Sequence, residues 1–178
     1  MTAGYPPKTM TNHPPTEPAD YAALNVLYGA LLTGTVVALR DTEERLDALD
    51  LVQLAGATFT LSKVVARERI GTWVREPFVE ETPDHKPRRP RGRRMRRAVG
   101  ELLTCTRCLG AWSALGLAGL RLGSPRSGRI VVAVLASSAA NDFLQAGFKA
   151  LCARASEKEK TAAVRDEGSS VAHLRGSA

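Results

Sequence analysis

The chain has 178 residues, enough for one ordinary domain, and 44 % of them are hydrophobic while 5 % are aromatic. Its formal charge of +7 favours contact with an anionic surface, but so few aromatic side chains argue against a surface that stacks nucleic-acid bases. Three cysteines are an odd number and do not form the framework of a secreted disulfide-rich domain, so we expect reduced thiols facing a cytoplasm.

The N-terminal segment, residues 1–20, is rich in Pro and Thr and has no apolar period, which predicts a disordered tail. It lacks the compact basic start of a signal peptide, so the next apolar block should be retained. That block, YAALNVLYGALLTGTVVAL, is uncharged over residues 21–39. A helix of this length nearly crosses a hydrocarbon core of about 30 Å, so we predict a membrane span whose glycines and threonines pack against other helices. A soluble core helix is the alternative.

Two further apolar blocks, residues 48–66 and 130–151, are long enough to span a membrane but carry charge. Lys63 lies near one end of the first, and Asp142 lies inside the second. Both blocks run in the same direction in an up-and-down bundle, so the two charges should lie at similar depth and could pair. An isolated charge at the bilayer centre costs on the order of 3 kcal/mol, which makes this intramembrane polar pair a candidate site for a small transporter. Alternatively, Asp142 lies just inside the interface or is protonated.

A shorter apolar block, residues 108–120, reaches the length of a thin span if Arg107 and Arg121 extend towards the two membrane surfaces. The predicted fold is therefore all-α: a small integral membrane helical bundle of about four transmembrane helices with disordered termini. The chain divides into a disordered tail, a helical membrane domain and a polar C-terminal tail that begins as a helical stub: residues 1–20, 21–152 and 153–178.

Arginines concentrate between the second and third blocks and define a basic loop over residues 67–101, which includes HKPRRPRGRRMRR. Cytoplasmic loops carry the excess of Lys and Arg, so the loop and both termini are predicted to be cytoplasmic. We expect RERIGTWVREPF to lie on the membrane surface and the arginines to hold anionic headgroups. An acidic protein partner is the alternative, and nucleic acid is not expected. The predicted contact residues are Trp73, Arg75, Phe78, Arg88, Arg89, Arg91, Arg93 and Arg94.

A Cys-x-x-Cys pair, Cys105 and Cys108, begins the third block, and Cys152 ends the fourth at the same predicted depth. Two thiolates at this spacing can supply half of a zinc shell or cycle as a dithiol, and His85 could supply a further zinc ligand. A second Cys-x-x-Cys is absent from the sequence, so we expect packing cysteines and no cofactor, with zinc or redox chemistry as the alternatives. The sequence also has no nucleophile elbow, phosphate loop or paired catalytic carboxylates that would identify an enzyme.

The segment ELLTCTRCLGAWSAL resembles an uncharacterised bacterial membrane-protein family called domain of unknown function 1360. It matches the family's Leu-x-Cys-x-x-Cys-x-Gly-x-Trp pattern through Cys105, Cys108, Gly110 and Trp112. The preceding LSKVVARERIGTWVREPF is also similar to that family. The resemblance implies an integral membrane protein of unknown biochemical role, in which the motif has a shared structural function and Trp112 packs behind the cysteine turn.

The resemblance covers roughly residues 22–152, and the chain departs from it at Thr106, where relatives commonly carry Pro. The pair is therefore expected to be less rigidly turned. We expect a structural or interaction adaptor at the bacterial inner membrane. The alternative is a thiol-dependent redox or metal-binding membrane protein that uses the Cys-x-x-Cys pair.

Overall fold

The computed structural model describes residues 16–80 and 89–176, with side chains described as far as residue 158. The helices in these ranges are α1 Pro18–Leu39, α2 Ala48–Arg67, α3 Thr72–Arg75, α4 Met95–Thr104, α5 Thr106–Gly123 and α6 Pro125–Gly176. A 3-10 turn, Arg69–Gly71, joins α2 to α3. Two short strands, β1 Val79–Glu80 and β2 Arg89–Pro90, pair antiparallel. The predicted all-α fold is confirmed.

Local capping determines where the first helix begins. Pro18 occupies the first turn of α1, where a missing backbone N–H costs nothing, and Glu17 precedes it as the N-cap. The Asp20 carboxylate accepts a hydrogen bond from Glu17 N at 3.0 Å and completes a capping box. The helix thus begins three residues before Tyr21, the start expected from the apolar block.

The helix α1 makes few contacts along its apolar length. The Tyr28 ring meets Trp112 of α5 edge to face, with ring centroids 5.3 Å apart. A Cβ built at Gly29 or Gly34 would meet nothing within 4 Å, so these glycines face open space. The prediction that glycines and threonines of this span pack against neighbouring helices is therefore wrong for Gly29 and Gly34, whereas Thr35 does lie against Gly119 of α5.

The helix α2 is the centre of the bundle, and it packs against both α5 and α6. It begins after Asp47, whose carboxylate accepts a hydrogen bond from Asp50 N at 2.7 Å. One buried cluster joins Leu54, Ala57, Leu117 and Val132 from the three helices, and a second joins Ala66, Leu103 and Leu109 near the end of α2. The two clusters hold α5 against both halves of α2, whereas α6 takes part in the first cluster and α4 in the second.

Among the described residues, three helices are long and apolar enough to cross a membrane: Pro18–Leu39, Ala48–Arg67 and Pro125–Lys158. They coincide with three of the predicted spans. The remaining predicted span corresponds to α5, an 18-residue helix with Arg107 and Arg121 near its ends. These two arginines and several glycines make α5 too polar to count as a membrane span by length and composition. The described residues therefore contain three such spans, whereas the sequence predicts about four.

Two predicted irregular regions contain regular structure. The basic loop, residues 67–101, includes α3, the two-stranded hairpin and much of α4. The polar segment after residue 152 continues α6 as a helix to Gly176, in place of a short stub that ends in disorder. The N-terminal tail predicted to be disordered lies outside the described residues, apart from its last five.

Candidate functional site

The two cysteines of the Cys-x-x-Cys motif meet at the junction of α4 and α5. Cys105 is the N-cap of α5, and its Sγ accepts a hydrogen bond from Cys108 N at 3.3 Å. The two cysteines are free thiols, and the Cys108 thiol donates a hydrogen bond to Cys105 Sγ. A hydrogen bond from the Cys108 thiol lowers the pKa of Cys105, and the Cys108 backbone N–H and the charge of Arg107 act in the same direction. Cys105 is therefore the thiol better able to act as a nucleophile.

The described residues do not bring a metal-binding set together. Among them, no group of three or more His, Cys, Asp or Glu lies close enough to hold an ion. Cys152 is exposed on α6 and does not join Cys105 and Cys108 in such a group. The three-thiol arrangement considered from the sequence is therefore not formed here, because similar depth in a bundle does not require a shared face. His85 lies outside the described residues.

The other two motif residues connect α5 to its neighbours. Gly110 faces Thr58 of α2, where a Cβ would meet the Thr58 methyl at an ordinary 3.9 Å. Trp112 is half-buried against Tyr28 of α1, and this ring pair attaches α1 to α5. The aromatic partner of Trp112 thus comes from α1, a contact that the motif alone does not indicate.

Arg75 closes the end of α2. Its side chain is fully buried, and Nη2 donates hydrogen bonds to Glu68 O at 2.9 Å and to Thr72 Oγ1 at 3.3 Å, while Nη1 donates to Val65 O. Carbonyls at a helix C-terminus lack partners within the helix, so a guanidinium is well suited to satisfy them. The prediction that Arg75 contacts lipid or a partner is wrong, because this capping role buries its charge.

Gly71 makes room for that guanidinium. A Cβ at this position would lie 2.6 Å from Arg75 Nη1 and 2.5 Å from Val64 O. Neither contact is sterically acceptable, so the corner between α2 and α3 requires glycine. The sequence signal for this corner is a glycine, Gly71, four residues before an arginine, Arg75, directly after an apolar helix. The sequence alone indicated a membrane contact for this segment instead.

The remaining predicted contact residues divide by exposure. Trp73 is 76 % exposed, whereas Phe78 is half-buried and packs against the cluster around Ala66 and Leu103. Arg88 lies outside the described residues. The exposed arginines of the hairpin and the start of α4 form what we call the basic surface: Arg89, Arg91, Arg93, Arg94 and Arg96.

Ion pairs between described residues connect α2 to its neighbours towards each of its ends. Lys63 Nζ lies 2.9 Å from Asp142 Oδ2 of α6 and 3.5 Å from Glu68 Oε1. At the other end, the buried Arg121 of α5 donates to both carboxylate oxygens of Asp50, at 3.0 and 3.1 Å. Sequence reasoning considered the first pair and missed the second, although the predicted topology puts Asp50 and Arg121 at the same membrane surface.

The fold and these contacts define a class: an all-α protein in which three helices of the described residues can cross a membrane, ion pairs join α2 to α5 and α6, and a dithiol turn begins α5. The model of the family described as protein of unknown function (DUF1360) matches residues 53–148, more than half of the chain. The chain therefore belongs to this family, which confirms the resemblance inferred from the Cys-x-x-Cys motif. No curated protein and no solved structure matches the chain.

Proposed function

We propose that the protein is an integral membrane adaptor of the bacterial inner membrane, which holds anionic headgroups against its basic surface. One observation supports membrane insertion above all: large apolar side chains cover the outside of the long helices. Val26, Val52 and Val134 are 72 %, 69 % and 64 % exposed on α1, α2 and α6. Such a surface would promote association in water, whereas lipid chains solvate it.

We include α5 as a fourth span because of its position beside α2. Near its end, Arg121 binds Asp50 close to the start of α2. Near its start, Leu109 packs in one cluster with Ala66 close to the end of α2. The two helices therefore run antiparallel over their length. If α2 crosses the bilayer, α5 crosses it beside α2, and the neighbouring helices of the bundle cover part of its surface.

The orientation can be tested by cysteine labelling in intact cells. In a variant with the three native cysteines replaced by serine, Arg126→Cys and Arg94→Cys would mark opposite ends of the bundle. An impermeant maleimide should label Arg126→Cys from outside and Arg94→Cys only after permeabilisation, because the basic surface should face the cytoplasm. The reverse labelling pattern would contradict the proposed orientation.

The adaptor proposal requires the basic surface and Trp73 to lie at headgroup depth. In a Trp112→Phe variant the remaining tryptophan is Trp73, so its fluorescence reports its own depth in reconstituted vesicles. Quenching by headgroup-labelled phospholipid should be stronger in vesicles with phosphatidylglycerol than in phosphatidylcholine alone. The protein-partner alternative would be favoured if quenching is equal in both vesicle types and an added acidic protein shifts the Trp73 fluorescence.

A second proposed function is thiol–disulfide exchange, which the direct contact between the Cys105 and Cys108 thiols favours. The Cys105 thiolate would attack a disulfide of a partner protein and release one partner thiolate. Cys108, after loss of its proton, would then attack the mixed disulfide, which leaves a Cys105–Cys108 disulfide and a reduced partner. A Cys108→Ala variant should accumulate the mixed disulfide with an added disulfide-bonded test protein, whereas Cys105→Ala should not. Absence of a trapped species in Cys108→Ala would exclude this activity for that probe.

A further inference from the structure

A cavity of about 750 Å³ opens where the turn between α5 and α6 meets the loop that precedes α2. This volume falls within the usual range of about 300 to 1,000 Å³ for small-ligand sites. Its lining includes Glu44 from the loop and, from the α6 side, Ser124, Arg126, Ser127, Arg129 and Ile130. The cavity shares no residue with the basic surface, which lies towards the other end of the bundle.

Two arginines of this cavity are not bound to a carboxylate. Within the described residues, neither Arg126 nor Arg129 forms a hydrogen bond or an ion pair, and both side chains are exposed. Arg129 attracts Asp50 at longer range, but Arg121 already binds both oxygens of that carboxylate. The α6 side of the cavity therefore presents two guanidinium groups that can donate to a ligand.

The wall on the loop side of the cavity carries negative charge. Glu44 and Asp50 share the buried guanidinium of Arg121, so two carboxylates meet one cation. The Glu44 side chain is 39 % exposed, and its contact with Arg121 uses Oε2. The other Glu44 oxygen can therefore accept a hydrogen bond from a ligand in the cavity.

Positive and negative charges balance at this end of the bundle but lie on different segments. Residues 40–50 contain five carboxylates and two arginines, whereas residues 121–130 contain three arginines and no carboxylate. The two segments together are neutral, so they have no surplus of charge that would attract a simple anion. A ligand that carries an anionic group beside a cationic group would satisfy both walls of the cavity.

The surroundings of the cavity favour a lipid as this ligand. Ile130 lines the cavity and is 66 % exposed, and Val134 continues the exposed apolar surface one turn further along α6. The part of α6 that qualifies as a membrane span begins at Pro125, beside the cavity. The ends of a span lie at the depth of phospholipid headgroups, so a bound headgroup would leave its acyl chains along this apolar surface.

We propose that the cavity binds one phosphatidylethanolamine molecule, whose phosphate is held by Arg126 and Arg129 and whose ammonium group is held by Glu44. The hydroxyls of Ser124 and Ser127, which have no hydrogen-bond partner among the described residues, donate to the phosphate. Phosphatidylcholine carries the same charges, but its quaternary ammonium group cannot donate a hydrogen bond to a carboxylate. The site rests on the proposed membrane insertion of α6, and it differs from the diffuse attraction at the basic surface because it binds lipid at a fixed stoichiometry.

Native mass spectrometry of the full chain in detergent can test the site by titration with three phospholipids. The wild type should retain one phosphatidylethanolamine and should bind phosphatidylcholine and phosphatidylglycerol at least several-fold more weakly. An Arg126→Gln/Arg129→Gln variant should bind phosphatidylethanolamine about tenfold more weakly, because charge-assisted hydrogen bonds to the phosphate are lost. The matched control Arg91→Gln/Arg93→Gln removes the same charge from the basic surface and should leave this retention unchanged.

Glu44 should determine the choice between headgroups. In a Glu44→Gln variant, phosphatidylethanolamine should lose its advantage over phosphatidylglycerol, because the amide keeps the shape of the side chain without its charge. Glu43→Gln is the control, since Glu43 is exposed on the same loop and is not part of the cavity lining. This readout compares two lipids on one variant, so a small change in stability does not affect it.

Several outcomes would overturn the proposal. They are equal losses in the two arginine variants, equal retention of the three lipids by the wild type, or displacement of the lipid by millimolar phosphoethanolamine, which would indicate a site for a soluble zwitterion. If the cavity variant loses helicity, the single Arg126→Gln variant repeats the test. If no lipid is retained while the quenching of Trp73 still depends on phosphatidylglycerol, the cavity site fails and the adaptor proposal stands, whereas loss of both signals would contradict membrane insertion.

Discussion

The guanidinium of Arg121 on α5 and the carboxylate of Asp50 on α2 form a two-point ion pair that is almost entirely buried. Nε and Nη2 donate to the two carboxylate oxygens, and Nη1 reaches the carboxylate of Glu44 at 3.3 Å. The exposed fraction is 4 % for the Arg121 side chain, 13 % for Asp50 and 39 % for Glu44. The position of α5 beside α2 therefore depends on one geometry-specific polar contact as well as on apolar packing.

We predict that Asp50→Asn destabilises the bundle strongly, because it leaves the buried Arg121 charge without its main partner. The expected loss is on the order of 3 to 5 kcal/mol in the free energy of unfolding. Glu44→Gln removes a single, half-exposed contact and should cost about 1 kcal/mol or less. Denaturant unfolding in detergent micelles would measure both variants, and equal effects would show that the double hydrogen bond to Asp50 has no special weight.

The second ion pair, Lys63 with Asp142, is about one-third exposed on both sides. We expect a double-mutant cycle of Lys63→Met and Asp142→Leu to give a coupling energy on the order of 1 kcal/mol, and more in a bilayer than in micelles. The control is Arg40→Met with Asp41→Leu, whose side chains are 69 % and 87 % exposed, and whose coupling should be near zero. If the coupling energy of Lys63 and Asp142 is no larger than that of the Arg40 and Asp41 control, their contact does not stabilise the packing of α2 on α6.

The two ion pairs also limit how the bundle can sit in a membrane. Along α2, the rise from Asp50 to Lys63 is about 20 Å, less than the hydrocarbon thickness of about 30 Å. If α2 spans the bilayer as proposed, at least one pair lies within the apolar layer or thins it locally. Pairing makes this acceptable, because an unpaired charge at that depth costs several kcal/mol.

Sequence reasoning located the long helices because apolar blocks of about 20 residues with few charges have a composition that few other structures share. It could not identify the partners of charged side chains, since these depend on helix rotation. Arg75 shows the difficulty: an arginine beside Trp73 fits a membrane-surface segment equally well, and only the path of the chain after α2 turns it inwards. The pairing of Arg121 with Asp50 could have been predicted from the sequence, because the two residues lie at the same end of the bundle on antiparallel helices.

Gly71 provides a test of the corner between α2 and α3. Gly71→Ala should destabilise the protein by about 1 to 3 kcal/mol, because the added methyl group overlaps the Arg75 guanidinium and a carbonyl of α2. Gly34→Ala is the matched control, since its Cβ would meet nothing within 4 Å and the helix gains up to about 1 kcal/mol in propensity. Thermal unfolding of the two variants would separate a steric effect from the general effect of replacing glycine.

The Cys105 thiol should ionise at a lower pH than an ordinary thiol. Hydrogen bonds from Cys108 hold the pKa of Cys105 below its ordinary value, so its alkylation by iodoacetamide should reach half its maximal rate at a lower pH than that of N-acetylcysteine. Cys108→Ala removes the thiol donor, which is the largest cause, and should move this midpoint upwards. Cys152→Ala in both proteins removes the thiol of α6, and mass spectrometry distinguishes modification of Cys105 from modification of Cys108.

The same hydrogen bonds link thiol ionisation to folding. Because the pKa of Cys105 is lower in the folded chain than in the unfolded chain, its thiolate stabilises the fold above the ordinary thiol pKa. This contribution disappears as the pH falls through the folded-state pKa. The same contact raises the pKa of Cys108, so the stabilisation is largest between the two folded-state pKa values, and Cys108→Ala should lose more stability there than at acidic pH. A stability difference that does not change with pH would attribute the effect of Cys108 to packing alone and would remove the support for thiol exchange.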